Sequence, residues 1–243
     1  MSPPAESQAC LIVFARTPVR GSVKTRMRPV LSEDDCLRLH SLLVRLWMGR
    51  LRDWDLGQVH KTVCLTPLGA NSAEPDLKLD APEGVAVETQ QGEGLGERLS
   101  NALNQKWNEG FRKLVFIGTD SPLLGITDLQ AAFQALDKSE VVLGPATDGG
   151  YYLIGFSALL PMLFSRISWG TSEVFRETVQ RLETNSIRWQ CLRESFDLDT
   201  YEDLVGFHRL LKESPSALPD PDDQELVSLV ARLVASSGIP QCP

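Results

Sequence analysis

Short apolar, β-prone runs alternate with helix-period segments along this chain, and that alternation constrains its fold more than any other feature. Residues 10–15 (CLIVFA) form an unbroken apolar run, the pattern of a strand covered on both faces. Further strands are expected at 59–65, 85–88, 113–117, 141–143, 151–156 and 187–192. Helices are expected between them. Ser32 opens one, with Glu33, Asp34 and Asp35 complementing its dipole. Leu95, Leu99, Ala102, Leu103 and Trp107 line one face of a second, which Gly110 ends. Thr127, Thr171 and Thr200 are the expected caps of helices reaching about Leu136, Glu183 and Leu211. Strands separated by helices pair in parallel through right-handed crossovers. The expected fold class is α/β, with three layers (α/β/α) around a mostly parallel central sheet.

A chain of 243 residues, 42% of them hydrophobic, sustains a core of ordinary depth. Residues 1–8 read as a flexible terminus without the basic stretch of a secretory signal, and 9–211 as the main domain. Residues 212–243 read as a Pro- and Asp-rich linker followed by an amphipathic helix carrying Leu226, Leu229, Val230 and Leu233. The net charge of -8 argues against nucleic acid as a partner. No run approaches the ~18 apolar residues of a membrane span. Five widely spaced cysteines (Cys10, Cys36, Cys64, Cys191, Cys242) with no CxxC argue against a disulfide framework or a zinc site. They point to a reducing compartment, and so to a cytoplasmic protein. Cys10 and Cys64 read as small buried hydrophobes. Nothing in the pattern fixes an oligomeric state.

Ligands of open α/β sheets bind beyond the carboxyl ends of the strands, which directs attention to the loops there. The loop after the first strand carries Arg16, Arg20, Lys24 and Arg26 around Gly21. Such a loop offers cations and backbone N–H groups to phosphates, although it lacks the GxxxxGK[ST] of a Walker A loop. Asp120, in Gly118-Thr-Asp-Ser-Pro122, directly follows a hydrophobic strand. It suits a hard divalent cation, or else an Asx turn before Pro122. Asp148-Gly149-Gly150-Tyr151 suits both a hairpin turn and the close approach of a ligand to the backbone. Asp197 and Asp199 are two apart and point the same way in an extended loop. They equally suit the N-terminus of the helix that follows. Gly92, Gly94 and Gly96 precede or open a helix, again allowing close backbone approach. Trp169, in the turn Ser168-Trp-Gly-Thr171, either stacks on a sugar or base or covers the core beneath.

Taken in order, Lys24-Thr-Arg26, Gly94-Leu-Gly-Glu-Arg98, Gly118-Thr-Asp-Ser-Pro122, the segment 144–155, Trp169-Gly-Thr171 and Asp197-Leu-Asp-Thr200 resemble the GT-A-like nucleotide-diphospho-sugar transferase superfamily. The match is closest to a bacterial family of mostly uncharacterised glycosyltransferase-like proteins, and more distant to 2-phospho-lactate and molybdenum-cofactor guanylyltransferases. It covers about residues 9–211 and leaves the tail unexplained. The resemblance implies that Lys24 and Arg26, with Arg16, Gly94 and Gly96, hold a nucleotide's phosphates. It implies Mg2+ or Mn2+ on Asp120 and Asp199, with Asp197 as a further candidate ligand. The chain departs from the pattern in lacking Gly-x-Gly-Thr-Arg after the first strand and the usual Asp-x-Asp, so a second metal ligand must come from elsewhere. The expected activity is glycosyl transfer from an NDP-sugar to a small-molecule acceptor. Asp148 is the candidate base, and Gly149, Gly150, Tyr151 and Trp169 lie beside the acceptor. The alternative is nucleotidyl transfer from an NTP to a phosphorylated small molecule with release of pyrophosphate. A nucleotide-binding protein without turnover is a third reading.

Overall fold

The computed structural model describes residues 8–68, 81–215, 217, 218, 220 and 223–237. The N-terminal expectation (1–7), most of the loop between 67 and 84, parts of the proline-rich stretch and Cys242 lie outside the described residues. The strands are β1 (Ala9–Ala15), β2 (Val59–Leu65), β3 (Val85–Thr89), β4 (Lys113–Gly118), β5 (Val141–Pro145), β6 (Tyr151–Phe156) and β7 (Trp189–Cys191). The helices are α1 (Glu33–Asp53), α2 (Leu95–Asn108), α3 (Ile126–Ala135), α4 (Val174–Thr184), α5 (Tyr201–Glu213) and α6 (Gln224–Ser236).

The strands form one sheet in the order β3-β2-β1-β4-β6-β5-β7. β1 pairs in parallel with β2 and β4, β2 with β3, and β5 with β7. Only β6 runs the other way, antiparallel to both β4 and β5. The period-2 alternation of a strand decides how the core is divided. In β1, Leu11 and Val13 face a cluster with Trp47 and Leu51 of α1 and Leu129 and Ala132 of α3. Cys10 and Ile12 face the opposite cluster, with Leu99 and Leu103 of α2 and Leu182 of α4. Burial pushes the Cys10 and Cys64 thiols up to about 12, so both act as small apolar side chains.

Two helix starts follow the expected chemistry. The Ser32 hydroxyl accepts from Asp35 N at 3.1 Å, and Thr200 and Asp203 cap α5 reciprocally. Two do not. α3 begins two residues earlier than Thr127 implies, with Gly125 at the cap position and its N–H held by the Asp128 carboxylate at 2.8 Å. α4 begins after Glu173; the Thr171 hydroxyl donates to Ser168 O at 2.7 Å and accepts from Glu173 N at 3.3 Å, in the turn before the helix.

The C-terminal helix is part of the core. Leu226, Leu229, Val230 and Leu233 of α6 pack with Leu39 and Leu43 of α1 and with Leu204 and Phe207 of α5. The chain before α6 is pinned by Arg50, whose buried guanidinium reaches Asp223 at 2.7 Å and Asp220 at 3.2 Å. The same guanidinium donates to Pro122 O at 2.9 Å and lies 5.3 Å from the ring centres of both Trp47 and Trp54. Among the described residues no helix is long and apolar enough to cross a membrane.

Candidate functional site

A cleft of about 670 Å³ opens over the carboxyl ends of β1, β2 and β4 and extends to the β5–β6 turn. The strand order separates the charge that lines it. Arg16 and Arg26 follow β1, and Arg98 comes from the first turn of α2. Asp120 follows β4, Asp148 sits in the turn between β5 and β6, and Asp197 and Asp199 follow β7. Arg16 and Arg98 therefore stand toward the β1–β3 side of the cleft and the carboxylates toward the β4–β7 side, with Arg26 reaching Asp199 between them.

Local hydrogen bonds set up the basic half. The Thr17 N–H donates to the Thr66 hydroxyl at 2.9 Å and the Thr17 hydroxyl to Thr66 O, tying the loop after β1 to the end of β2. His40 of α1 donates from Nε2 to Arg16 O at 2.9 Å; a carbonyl only accepts, so this nitrogen carries the proton. Burial lowers the His40 pKa, with the Asp120 charge opposing. Arg98 donates from Nε to Gly92 O at 2.8 Å, which holds its guanidinium on the cleft wall. Gly94 takes the cap position of α2 without a side-chain cap, so the first-turn N–H groups beside the cleft are not covered by a capping side chain. Arg98 closes the Gly94–Arg98 motif, and its position one helical turn beyond an uncapped Gly94 is the sequence signal for its place on the cleft.

The glycines divide by function. A Cβ on Gly96 would lie 2.4 Å from Trp169 Nε1 and 2.6 Å from Phe164 O. Gly96 is buried against that indole, so its lack of a side chain serves helix–loop packing and leaves it poorly placed for phosphate. Nothing lies within 4 Å of a Cβ on Gly94, which borders open cleft. Gly149 has φ +87°, while Gly150 keeps ordinary backbone, so the turn's special conformation falls on Gly149 alone. The Asp148 carboxylate accepts from Gly150 N at 2.9 Å, an Asx turn that also leaves the side chain exposed on the cleft. Tyr151 borders the cleft by its ring edge-on to Trp169, with centroids 6.2 Å apart. Its hydroxyl is buried toward Thr178, and burial pushes its pKa well up. What Tyr151 offers the cleft is therefore ring surface, its hydroxyl being buried.

The acidic half is held by the backbone. Leu198 N donates to Asp120 O at 2.8 Å, which brings the segment after β7 across the end of β4. Leu198 itself is fully buried, so its neighbours Asp197 and Asp199 both turn to the cleft. Asp197 accepts from the Ser121 hydroxyl. Burial, helped by the charges of Asp120, Asp199 and Asp148, pushes its pKa up to about 7. Lys24 does not line the cleft. Its ammonium is buried beneath it, 2.8 Å from Asp120 Oδ1, 3.6 Å from Asp199 Oδ1 and 2.5 Å from Leu198 O. Burial pushes the Asp120 carboxyl up, but Lys24, with His40, outweighs this and holds it below the usual range. Burial and the Asp120 charge raise Asp199. Arg26 stays exposed, 3.9 Å from Asp199 Oδ2.

Among the described residues no group of three or more His, Cys, Asp or Glu side chains is arranged to hold a metal ion. Asp120 and Asp199 nevertheless converge on one cation, the Lys24 ammonium. Two hard oxygen donors on one point suit a divalent ion that takes its remaining ligands from water and phosphate, as Mg2+ commonly does.

Residues 52–171 match a family model described as an uncharacterized protein conserved in bacteria (DUF2064). A provisionally assigned nucleotide-diphospho-sugar transferase from Desulfovibrio desulfuricans G20 is similar in sequence and structure: 28% identical, TM-score 0.79, covering 93% of this chain and 98% of that one. The chain has the nucleotide-diphospho-sugar transferase fold. A 4-diphosphocytidyl-2C-methyl-D-erythritol synthase from Anaerococcus prevotii DSM 20548 shares the fold alone, at 10% identity and TM-score 0.52, covering 85% of this chain and 99% of that one. No curated protein matches the sequence. On this fold, the Arg16–Arg26 loop, α2 and Asp120 surround a cleft of nucleotide size.

Proposed function

We propose that this chain is a metal-dependent transferase that moves a sugar from a nucleoside-diphosphate sugar to a small acceptor. The observation that carries the reading is the distribution of charge along the cleft, with Arg16 and Arg98 toward the β1–β3 side, Asp120, Asp148, Asp197 and Asp199 toward the β4–β7 side, and Arg26 between them, 3.9 Å from Asp199. A leaving diphosphate needs cations, and three guanidinium groups with uncovered N–H groups of α2 supply donors for it. A divalent ion on Asp120 and Asp199 would neutralise part of the leaving group's charge. The acceptor hydroxyl lies on the acidic side. Asp148 takes its proton as the acceptor oxygen bonds to the anomeric carbon, and the bond from that carbon to the diphosphate oxygen breaks to release the NDP. Trp169, Gly170 and Thr171 line the rim beside Asp148 and are suited to the acceptor or the sugar. These assignments bring the phosphate role to Arg16, Arg26 and Arg98, with Lys24 acting from beneath.

The same three arginines favour a second reading, nucleotidyl transfer, since they provide donors enough for a triphosphate. There a phosphorylated acceptor attacks the α-phosphorus and pyrophosphate leaves. The exposed Asp148 carboxylate is a base that a hydroxyl acceptor needs and an already ionised phosphate does not, which is why the first reading is preferred.

Calorimetry tests the shared nucleotide step. Nucleoside diphosphates should bind the wild-type chain in the presence of Mn2+. Arg16→Ala and Arg98→Ala should each weaken binding by roughly 1.5–3 kcal/mol, the range for hydrogen bonds to charged groups. Unchanged affinity in both variants would remove the basic half from the reading.

A further inference from the structure

Lys24 is an unusual cation for this cleft. Its side chain is 3% exposed, it touches both carboxylates of the candidate cation site, and its backbone holds the left-handed conformation at φ 48°. A non-glycine residue rarely adopts that conformation, and here it sits at the entry to the 3-10 turn Thr25–Met27. Its third partner, Leu198 O, belongs to the same segment that carries Asp197 and Asp199. One ammonium therefore joins the loop after β1, the end of β4 and the segment after β7.

We infer that Lys24 is the resident counter-ion of the Asp120–Asp199 pair, and that a divalent cation can bridge these carboxylates only by displacing its ammonium. This rests on the assignment of the pair as metal ligands in the proposed function. The argument is steric and electrostatic. A divalent ion sits roughly 2.0–2.6 Å from each carboxylate oxygen it binds. With the ammonium 2.8 Å from Asp120 Oδ1 and 3.6 Å from Asp199 Oδ1, an ion binding those same oxygens would compete with Nζ for them from within about 5 Å. Two positive centres so close in a buried site repel strongly. Phosphate oxygens of a bound nucleotide give the displaced ammonium a new partner and complete the ion's coordination. The metal and nucleotide should accordingly bind with positive cooperativity, each lowering the cost of admitting the other.

The test is Mn2+ binding followed by electron paramagnetic resonance, with no turnover involved. Wild type, Lys24→Gln and Lys24→Gly are titrated with Mn2+, first alone and then with a saturating nucleoside diphosphate. Glycine suits the φ of this position and guards against a variant that fails only through backbone strain. In the absence of nucleotide both variants should bind Mn2+ at least tenfold more tightly than wild type. The diphosphate should tighten Mn2+ binding in wild type much more than in the variants. A melting-temperature rise with saturating Mn2+ should likewise be larger in the variants. Equal or weaker Mn2+ binding by both variants overturns the displacement while leaving the metal assignment in place. Failure of all three proteins to bind Mn2+, with or without the diphosphate, overturns the metal assignment and the displacement together.

Discussion

Gly149 and Ser172 are in backbone contact: a Cβ on Gly149 would lie 2.2 Å from Ser172 O and 2.6 Å from Ser172 Cα. The β5–β6 turn thus seats the loop before α4, and Gly149 O accepts from Phe175 N at 2.9 Å to complete the join. The two adjacent glycines should therefore respond differently to alanine. Gly149→Ala meets both a positive φ and rigid backbone, and should cost roughly 1–3 kcal/mol or more of stability. At Gly150 the added methyl meets only Asp148 Oδ1, at 3.1 Å, which a side chain can relieve by moving. Gly150→Ala should melt close to wild type but turn over about 10²-fold more slowly, the scale of a catalytic group misplaced by an ångström. Melting temperature and rate on the same preparations check this. Proportional loss of both in Gly150→Ala would remove Asp148 as the base.

Gly96→Ala should destabilise the chain by roughly 1–3 kcal/mol through overpacking against Trp169 and Phe164. Urea unfolding measures the cost. Tryptophan fluorescence, with the other four tryptophans replaced, reports whether the indole moves. A neutral substitution with an unshifted spectrum would contradict the packing role.

Arg50→Met should cost roughly 3–5 kcal/mol, the range for removing one partner of a buried ion pair, because Asp223 and Asp220 are left without their cation. Arg50 also fixes Pro122 O, two residues beyond Asp120, so nucleotide affinity should fall in the same variant. A double variant, Arg50→Met with Asp223→Asn, should recover part of the stability. No recovery would show that the guanidinium acts through the carbonyls and tryptophans alone.

His40 gives the fold a pH dependence whose sign follows from its burial. Its folded pKa is lowered below the ordinary 6.5, so the unfolded chain binds a proton more readily. The stability it contributes is fully present above that value and is lost as pH falls from there through the folded pKa. Denaturant titrations at pH 7.5 and below pH 6 should show wild type weakening on acidification more than His40→Gln. Parallel behaviour of the two would assign the acid sensitivity elsewhere.

Much of this was legible in the sequence for physical reasons. Unbroken apolar runs marked β1 and β4 because both faces of a central parallel strand are covered. Ser32 and Thr200 marked helix starts because their hydroxyls accept from free N–H groups a turn later. Gly110, with φ 104°, marked the end of α2. What escaped was tertiary. Gly125 outcompeted Thr127 because Asp128 reaches back to its N–H. Gly96 resembled a phosphate-loop glycine until Trp169, more than seventy positions away, was seen to occupy its Cβ space. The basic loop gave no sign that Lys24 turns inward to Asp120 while Arg16 and Arg26 stay on the cleft. The place of α6 in the core depends on Arg50 meeting Asp223, a contact between segments 173 positions apart.

Glycosyl transfer is tested most directly by phosphorus NMR of the products. The chain is incubated with Mg2+ or Mn2+, a panel of NDP-sugars, a panel of NTPs, and neutral and phosphorylated sugar acceptors. The account predicts free NDP released from an NDP-sugar in step with glycosylation of a non-phosphorylated acceptor, and loss of that release in Asp148→Asn. Pyrophosphate released from an NTP with a phosphorylated acceptor, and no NDP from any sugar nucleotide, would contradict it.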